Sequence, residues 1–238
     1  MSPTDFSWEP AYIALAAIAA IAYARAGRAS GWRLASFAAG LFLVAAPLNS
    51  PMETIAATRL LLIHLVQNAL IADIAPILIL LGVTPTMRAW LERHGAARIR
   101  ARWAIVAWLA AWYGTHLAGF YNWALDTGWA LNIEHGLLIA GGLVFWWPIV
   151  SGRLPAPAAI AYLGAGFVAS SFLGLAFIFS THPFYSFYEH APRLWGFSAI
   201  RDQNLGGIAM NGEQTLVFLV ASGWYVSQLL REESLQEK

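Results

Sequence analysis

Apolar runs of membrane-crossing length, each nearly free of charge, recur along this chain and leave it few folds to choose from. A helix needs about 20 mainly apolar residues to cross the hydrocarbon core of a bilayer, because there every backbone N–H and C=O must be satisfied within the segment. Seven stretches of roughly that length lie between charged or Pro/Gly-rich breaks, over residues 8–24, 33–48, 60–82, 103–120, 131–150, 157–180 and 204–230. Charged side chains make up 11% of the 238 residues and hydrophobic ones 59%, whereas an ordinary soluble domain is about 25% charged. This balance excludes a soluble enzyme, a nucleic-acid-binding domain and a disordered chain. The expected fold is an all-α integral membrane protein, a bundle of seven transmembrane helices forming one domain over 1–238. The acidic start at Asp5 and Glu9 argues against a cleaved signal peptide.

Lys and Arg are retained on the cytoplasmic side of a membrane, so their placement sets the orientation. Arg25, Arg28 and Arg33 fall in the first connection, Arg88, Arg93, Arg98, Arg100 and Arg102 in the third, Arg153 in the fifth, and Arg231 and Lys238 in the tail. The opposite side keeps Arg59, Arg193 and Arg201. The N-terminus is therefore expected outside and the C-terminus in the cytoplasm. Segment 181–201 is too aromatic for a flexible linker and too polar to span, and is expected to be an ordered element on the outer face.

Polar side chains inside a span are costly and by default face the bundle interior. In the third stretch His64, Gln67 and Asn68 share the i, i+3, i+4 spacing of one helix face. His116 closes the fourth stretch with Tyr121 just beyond it, and His135 opens the fifth. Three histidines on three helices at one depth can converge on a point, although any one of them alone would more often be a packing residue. There is no cysteine, which rules out thiolate sites and thiol nucleophiles together. Imidazole with thioether and no thiolate suits copper, with zinc left open. Met52 and Met210 lie on the outer half as thioether candidates, and Met210 reads more readily as packing. Gln67, Asn68 and Gln203 either knit helices together or orient the histidines. Asp73 and Glu213 are each a protonated structural carboxyl or part of a proton or cation path. Trp146 and Trp147 fit an aromatic belt at the inner surface. Gly166, Ser170 and Gly174 have the spacing that lets helix backbones approach closely. The lone lysine, Lys238, excludes a retinal Schiff base within the membrane.

The stretch HLVQNALIADIAPILILLGVTP resembles the signature of CtaG-type cytochrome c oxidase assembly factors, bacterial seven-helix membrane proteins tied to caa-type terminal oxidases. Four further stretches are similar to that family in the same order. They are His116 through Tyr121, IEHGLLIAGGLVFWWPIVSG, the FYSFYEH segment with Tyr185 and Tyr188, and DQNLGGIAM. His64, Gln67, Pro76, Gly82 and Pro85 match the family's third-helix pattern, and Asp202 with Gln203 matches its seventh-helix pair. Asn68 departs from it, since the family commonly has a second histidine there, and Asp73 is not a family residue.

The resemblance implies a plasma-membrane assembly factor without turnover chemistry. It would bind copper at the extracytoplasmic face among His64, His116 and His135, and pass it to an oxidase subunit. An amide is a poor copper ligand, so either those three histidines make the site or this member has an altered affinity. Tyr121, Tyr185, Asp202 and Gln203 are expected around it. The rival readings are a haem-binding electron-transfer subunit and a copper or proton transporter. The lipid bilayer is an expected partner, homo-oligomers stay open, and nucleic acid is not needed.

Overall fold

The computed structural model describes residues 2–26 and 31–236; it is 82% helix, with no strand among the described residues. Arg28 and Lys238, two of the basic residues used for orientation, lie outside the described residues. Helix α1 (Pro10–Arg25) opens on a proline, whose missing N–H costs nothing in a first turn. It is followed by α2 (Gly31–Leu48) and by the short α3 (Pro51–Thr58), capped by Ser50 Oγ on the Met52 amide. The next crossing combines α4 (Leu61–Ala69), a π turn over Leu70–Ile74, and α5 (Ala75–Gly82). Then come α6 (Pro85–Arg93), α7 (Ala101–Thr115), α8 (Ala118–Asp126), α9 (Gly128–Val150), α10 (Ala156–Phe179), the single turn α11 (Ser186–His190) and α12 (Ala199–Gln236).

Four of these segments are long and apolar enough to cross a membrane: Gly31–Leu48, Leu61–Gly82, Gly128–Val150 and Ala156–Phe179. The other three expected spans are also helical but differ from the expectation in extent. Helix α1 has 16 residues and α7 has 15. Helix α7 was expected to reach residue 120 and instead stops at Thr115. In its last turn Thr115 Oγ1 bonds back to the Ala111 carbonyl at 2.8 Å and His116 Nδ1 to the Trp112 carbonyl at 2.7 Å, so both side chains fold back along the helix they close. Helix α12 has 38 residues against the expected 27, roughly 57 Å at ~1.5 Å per residue. Its hydropathy is lowered by Asp202, Gln203, Asn204, Asn211, Glu213 and Gln214.

The contacts between helices fix their directions. Asn132 at the start of α9 donates to Glu9 just before α1 (2.7 Å), and Tyr23 near the end of α1 donates to the carbonyl of Gly82, the last residue of α5 (3.0 Å). Asp202 at the start of α12 meets Leu61 at the start of α4, and Tyr225 meets Ile149 near the end of α9. Helix α1, the α4–α5 segment, α9 and α12 therefore run the same way, from an end rich in histidine to an end rich in arginine. Helices α2, α7 and α10 return: Arg33 lies at Val83 and Tyr162 at Phe145, while Asn204 caps the far end of α10 at Phe177.

The interior divides by depth. Near the arginine end Trp108, Phe145, Trp146, Leu163 and Phe218 pack together; near the histidine end Leu61, Leu65, Trp112, Tyr121, Phe177 and Met210 do so. Trp146 and Trp147 belong to this core, 1% and 4% exposed, and not to a surface belt. Each indole N–H has an acceptor within the protein, the buried Asp73 Oδ1 at 2.9 Å and the half-buried Ala96 carbonyl at 3.1 Å. Helices α10 and α12 pack side by side where small residues fall, since a Cβ on Gly174 would meet Asn211 Oδ1 at 2.0 Å.

Candidate functional site

The α4 face expected from the sequence is fully buried: His64, Gln67 and Asn68 are all 0% exposed. Helix α4 has no acceptor of its own at its start, because its N-cap residue is Leu60. Asp202 of α12 supplies one from outside, accepting from the Leu61 and Leu62 amides at 2.9 Å each. A carboxylate at a helix N-terminus satisfies orphan donors and meets the positive end of the dipole. The Asp202→Ala variant is expected to lose about 1–2 kcal/mol of stability, with Asp202→Asn losing less, read as thermal unfolding in detergent.

His64 is oriented through one ring nitrogen. Its Nδ1 lies 2.7 Å from the Tyr188 hydroxyl, which itself donates to the Ala56 carbonyl at 2.5 Å. The hydroxyl has one proton and spends it on Ala56, so His64 Nδ1 is the donor and Tyr188 the acceptor. The other nitrogen, Nε2, stands 3.4 Å from Glu134 Oε1 and makes no hydrogen bond. The same Glu134 oxygen accepts from Asn68 Nδ2 at 3.0 Å. Gln67 donates to Glu53 Oε2 of α3 at 2.5 Å. Burial pushes the Glu53 carboxyl up to about 7, opposed by nearby His64 and by the Gln67 bond.

His116 and His135 complete the group. His116 Nδ1 donates to the Trp112 carbonyl, leaving Nε2 buried and without a partner. Neither nitrogen of His135 has a hydrogen-bond partner, although it is 1% exposed. The His64 and His135 ring centroids are 5.8 Å apart. Tyr121 stands between His64 (5.0 Å) and His116 (5.7 Å), stacked at 4.0 Å on Tyr185, whose hydroxyl donates to the His116 carbonyl at 2.9 Å. Segment 181–198 thus roofs the group with Tyr185 and Tyr188, both buried. Gln203 holds that roof, accepting from the Phe184 amide (2.7 Å) and donating to the His182 carbonyl (3.2 Å).

Of the thioethers, Met210 is fully buried in the apolar cluster with Leu61, Leu65, Tyr121 and Tyr188, and Met52 is half-buried in the first turn of α3. Asp73 lies deeper, in the π turn, accepting from Trp146 and facing Gln214. Glu213 is within electrostatic reach of it. The two carboxyls of the suggested path thus feel each other's charge, one on the π turn and the other on α12.

Sequence reasoning did not rank Glu134, Glu53 or Tyr188 among the site residues. Glu134 could have been found by the rule applied to the histidines, since it is an intramembrane carboxyl next to His135. Glu53 and Tyr188 belong to short connecting helices, where no spacing relates them to His64.

Chemically the group offers unpartnered imidazole nitrogens beside a carboxylate in a buried interior. Among the described residues no three His, Asp or Glu side chains are already arranged to hold one ion. Imidazole and carboxylate are metal-ligating donors in kind.

The fold and the site define an all-helical protein with apolar helices suited to a membrane and a polar centre of imidazole, carboxylate and phenol buried at one end. Residues 14–232 match the family described as cytochrome c oxidase caa3 assembly factor, Caa3_CtaG, and the chain belongs to that family. No curated protein and no solved structure gives a significant match.

Proposed function

We propose that this protein is a seven-span plasma-membrane assembly factor that takes up copper at its histidine end and delivers it to a cytochrome c oxidase subunit. The family supplies the oxidase. Copper is supported by one observation above the rest: His64 and His116 each commit Nδ1–H to an oxygen acceptor and leave Nε2 buried and unpartnered. Metal-binding histidines are characteristically held this way, with the second nitrogen fixing tautomer and ring direction. The alternating helix directions and the arginine-rich end support an extracytoplasmic N-terminus and an extracytoplasmic site.

In this reading copper is cargo. Tyr188 and the Trp112 carbonyl keep the His64 and His116 lone pairs available, His135 adds a third imidazole, and Glu134 neutralises part of the arriving charge. Asn68 acts on Glu134 and not on the metal. Tyr185 and Tyr188 cover the centre, so loading and release require the 181–198 segment to lift.

The test is metal content and visible absorption of the detergent-purified protein before and after copper loading, for the wild type and a His64→Ala, His116→Ala double variant. Copper retained by the wild type should be lost in the variant by more than the roughly 10–100-fold that removal of a ligand's hydrogen-bond partner costs. Undiminished copper in a folded double variant would overturn the site, and a Soret band would replace it with a haem reading.

A second reading, proton or cation transport, is favoured by Asp73 Oδ2 and both Glu213 oxygens being buried without hydrogen-bond partners. Ion accumulation by sealed vesicles containing only this protein would support it.

A further inference from the structure

At the opposite end of the bundle from the histidines, a cleft of about 230 Å³ opens among α2, α5, α6 and the end of α9. Two half-buried arginines line it, Arg33 of α2 and Arg88 of α6, with Trp32, Leu80, Leu81 and Pro85. Each guanidinium is anchored by one hydrogen bond to a carbonyl at a helix end: Arg33 Nη1 to Val83 at 2.7 Å, and Arg88 Nη2 to Val150 at 2.8 Å. A guanidinium has five N–H donors, so each retains donors for another acceptor. No acidic residue lines the cleft, and neither arginine forms an ion pair among the described residues. Arg153, on the same end, shows the contrast, since it is paired with Glu92 at 3.3 Å. Trp32 lies exposed with its ring 4.9 Å from the Arg33 guanidinium carbon.

Two cations brought into one cavity repel each other and lose solvation, and the backbone carbonyls return only partial charge. An anion with several acceptor oxygens would relieve both, and the planar fork of arginine matches phosphate in particular. We propose that Arg33 and Arg88 form a binding site for a phosphate group at the membrane boundary. The surroundings favour an anionic phospholipid headgroup as its source, one whose phosphate is not already neutralised by a choline cation. The cleft lies where the apolar segments Gly31–Leu48 and Leu61–Gly82 end, its remaining walls are largely apolar, and Trp32 is an amphipathic ring of the kind that settles at headgroup depth. Basic pockets between transmembrane helices on the cytoplasmic side hold anionic headgroups in this manner. The bound lipid would tie α2, α6 and the end of α9 together, at the far end from the histidine centre.

The experiment compares the full-length protein in phosphatidylcholine vesicles, in the same vesicles with phosphatidylglycerol added, and in phosphatidylcholine with inorganic phosphate. The readouts are thermal stability and the lipid retained per protein by mass spectrometry. Phosphatidylglycerol should stabilise the wild type and be retained, and R33Q/R88Q should bind it roughly 30-fold more weakly, a factor of ~5 per arginine. Stabilisation by inorganic phosphate alone, lost in the same variant, would keep the site and change the source. A wild type indifferent to both additions overturns the proposal without reference to any variant. So does equal binding by wild type and R33Q/R88Q. If R33Q/R88Q fails to fold, R33K/R88K decides: it keeps the charge and loses the fork, and unchanged binding in it would reduce the site to unspecific attraction.

Discussion

Replacing Gly142 by alanine is expected to cost about 3 kcal/mol or more, above the ordinary range of about 1–3 kcal/mol for overpacking a core. A Cβ at this position in α9 would stand 1.9 Å from the Ala72 carbonyl oxygen and 2.8 Å from Pro76 Cγ. The first obstacle is backbone, which cannot rotate aside. It belongs to the π turn, and Pro76 has no N–H to offer the carbonyl four residues before it, so this stretch of helix is already departing from regular geometry. Helix α9 can come this close only because residue 142 has no side chain. Gly136→Ala on the same helix is the control. Its Cβ would meet only the Tyr12 hydroxyl at 3.7 Å, and alanine in a helix interior is favoured over glycine by up to ~1 kcal/mol. Thermal unfolding in one detergent should place the two variants on opposite sides of the wild type. Similar midpoints for both would show that α9 and the π turn are not in register as described.

These two glycines mark how far the sequence could be read. Apolar run length located the helices, because the requirement for internal backbone hydrogen bonding acts locally. The shared face of His64, Gln67 and Asn68 was equally legible, since helical spacing is a local property, and the structure buries all three. What those side chains meet depends on which helices are neighbours. Glu134 is 66 residues from Asn68 in sequence and Tyr188 is 124 from His64, and no periodicity connects them. Trp146 illustrates the same limit. Interfacial tryptophans are common, and its buried partner, Asp73, lies 73 residues earlier on another helix. The end of α7 at Thr115 is not legible from the sequence, because the residues from Thr115 to Phe120 include no proline and continue the apolar run. The π turn left a trace only in Pro76, which is also compatible with an ordinary kink.

Glu134→Ala is expected to be the most damaging change within the polar centre, destabilising the fold by about 3 kcal/mol, since breaking a buried polar pair leaves its partners uncompensated. Its Oε1 is the acceptor for Asn68 Nδ2 and the neighbour of His64 Nε2 at 3.4 Å, and Glu134 is 0% exposed. Alanine would strand the Asn68 amide donor and leave a void where the carboxyl was. Glu134→Gln separates shape from charge. The glutamine oxygen can still accept from Asn68, so its stability cost should stay near 1 kcal/mol. Copper retention should respond in the opposite proportion. If the carboxylate neutralises an ion held by His64, the glutamine variant loses at least tenfold in retention while remaining folded, whereas a purely structural Glu134 would leave copper binding unchanged. Asn68→Ala discriminates further, because it frees Glu134 without removing its charge. Retention should fall less in this variant than in Glu134→Gln, and an equal or larger loss would assign the metal contact to the amide instead.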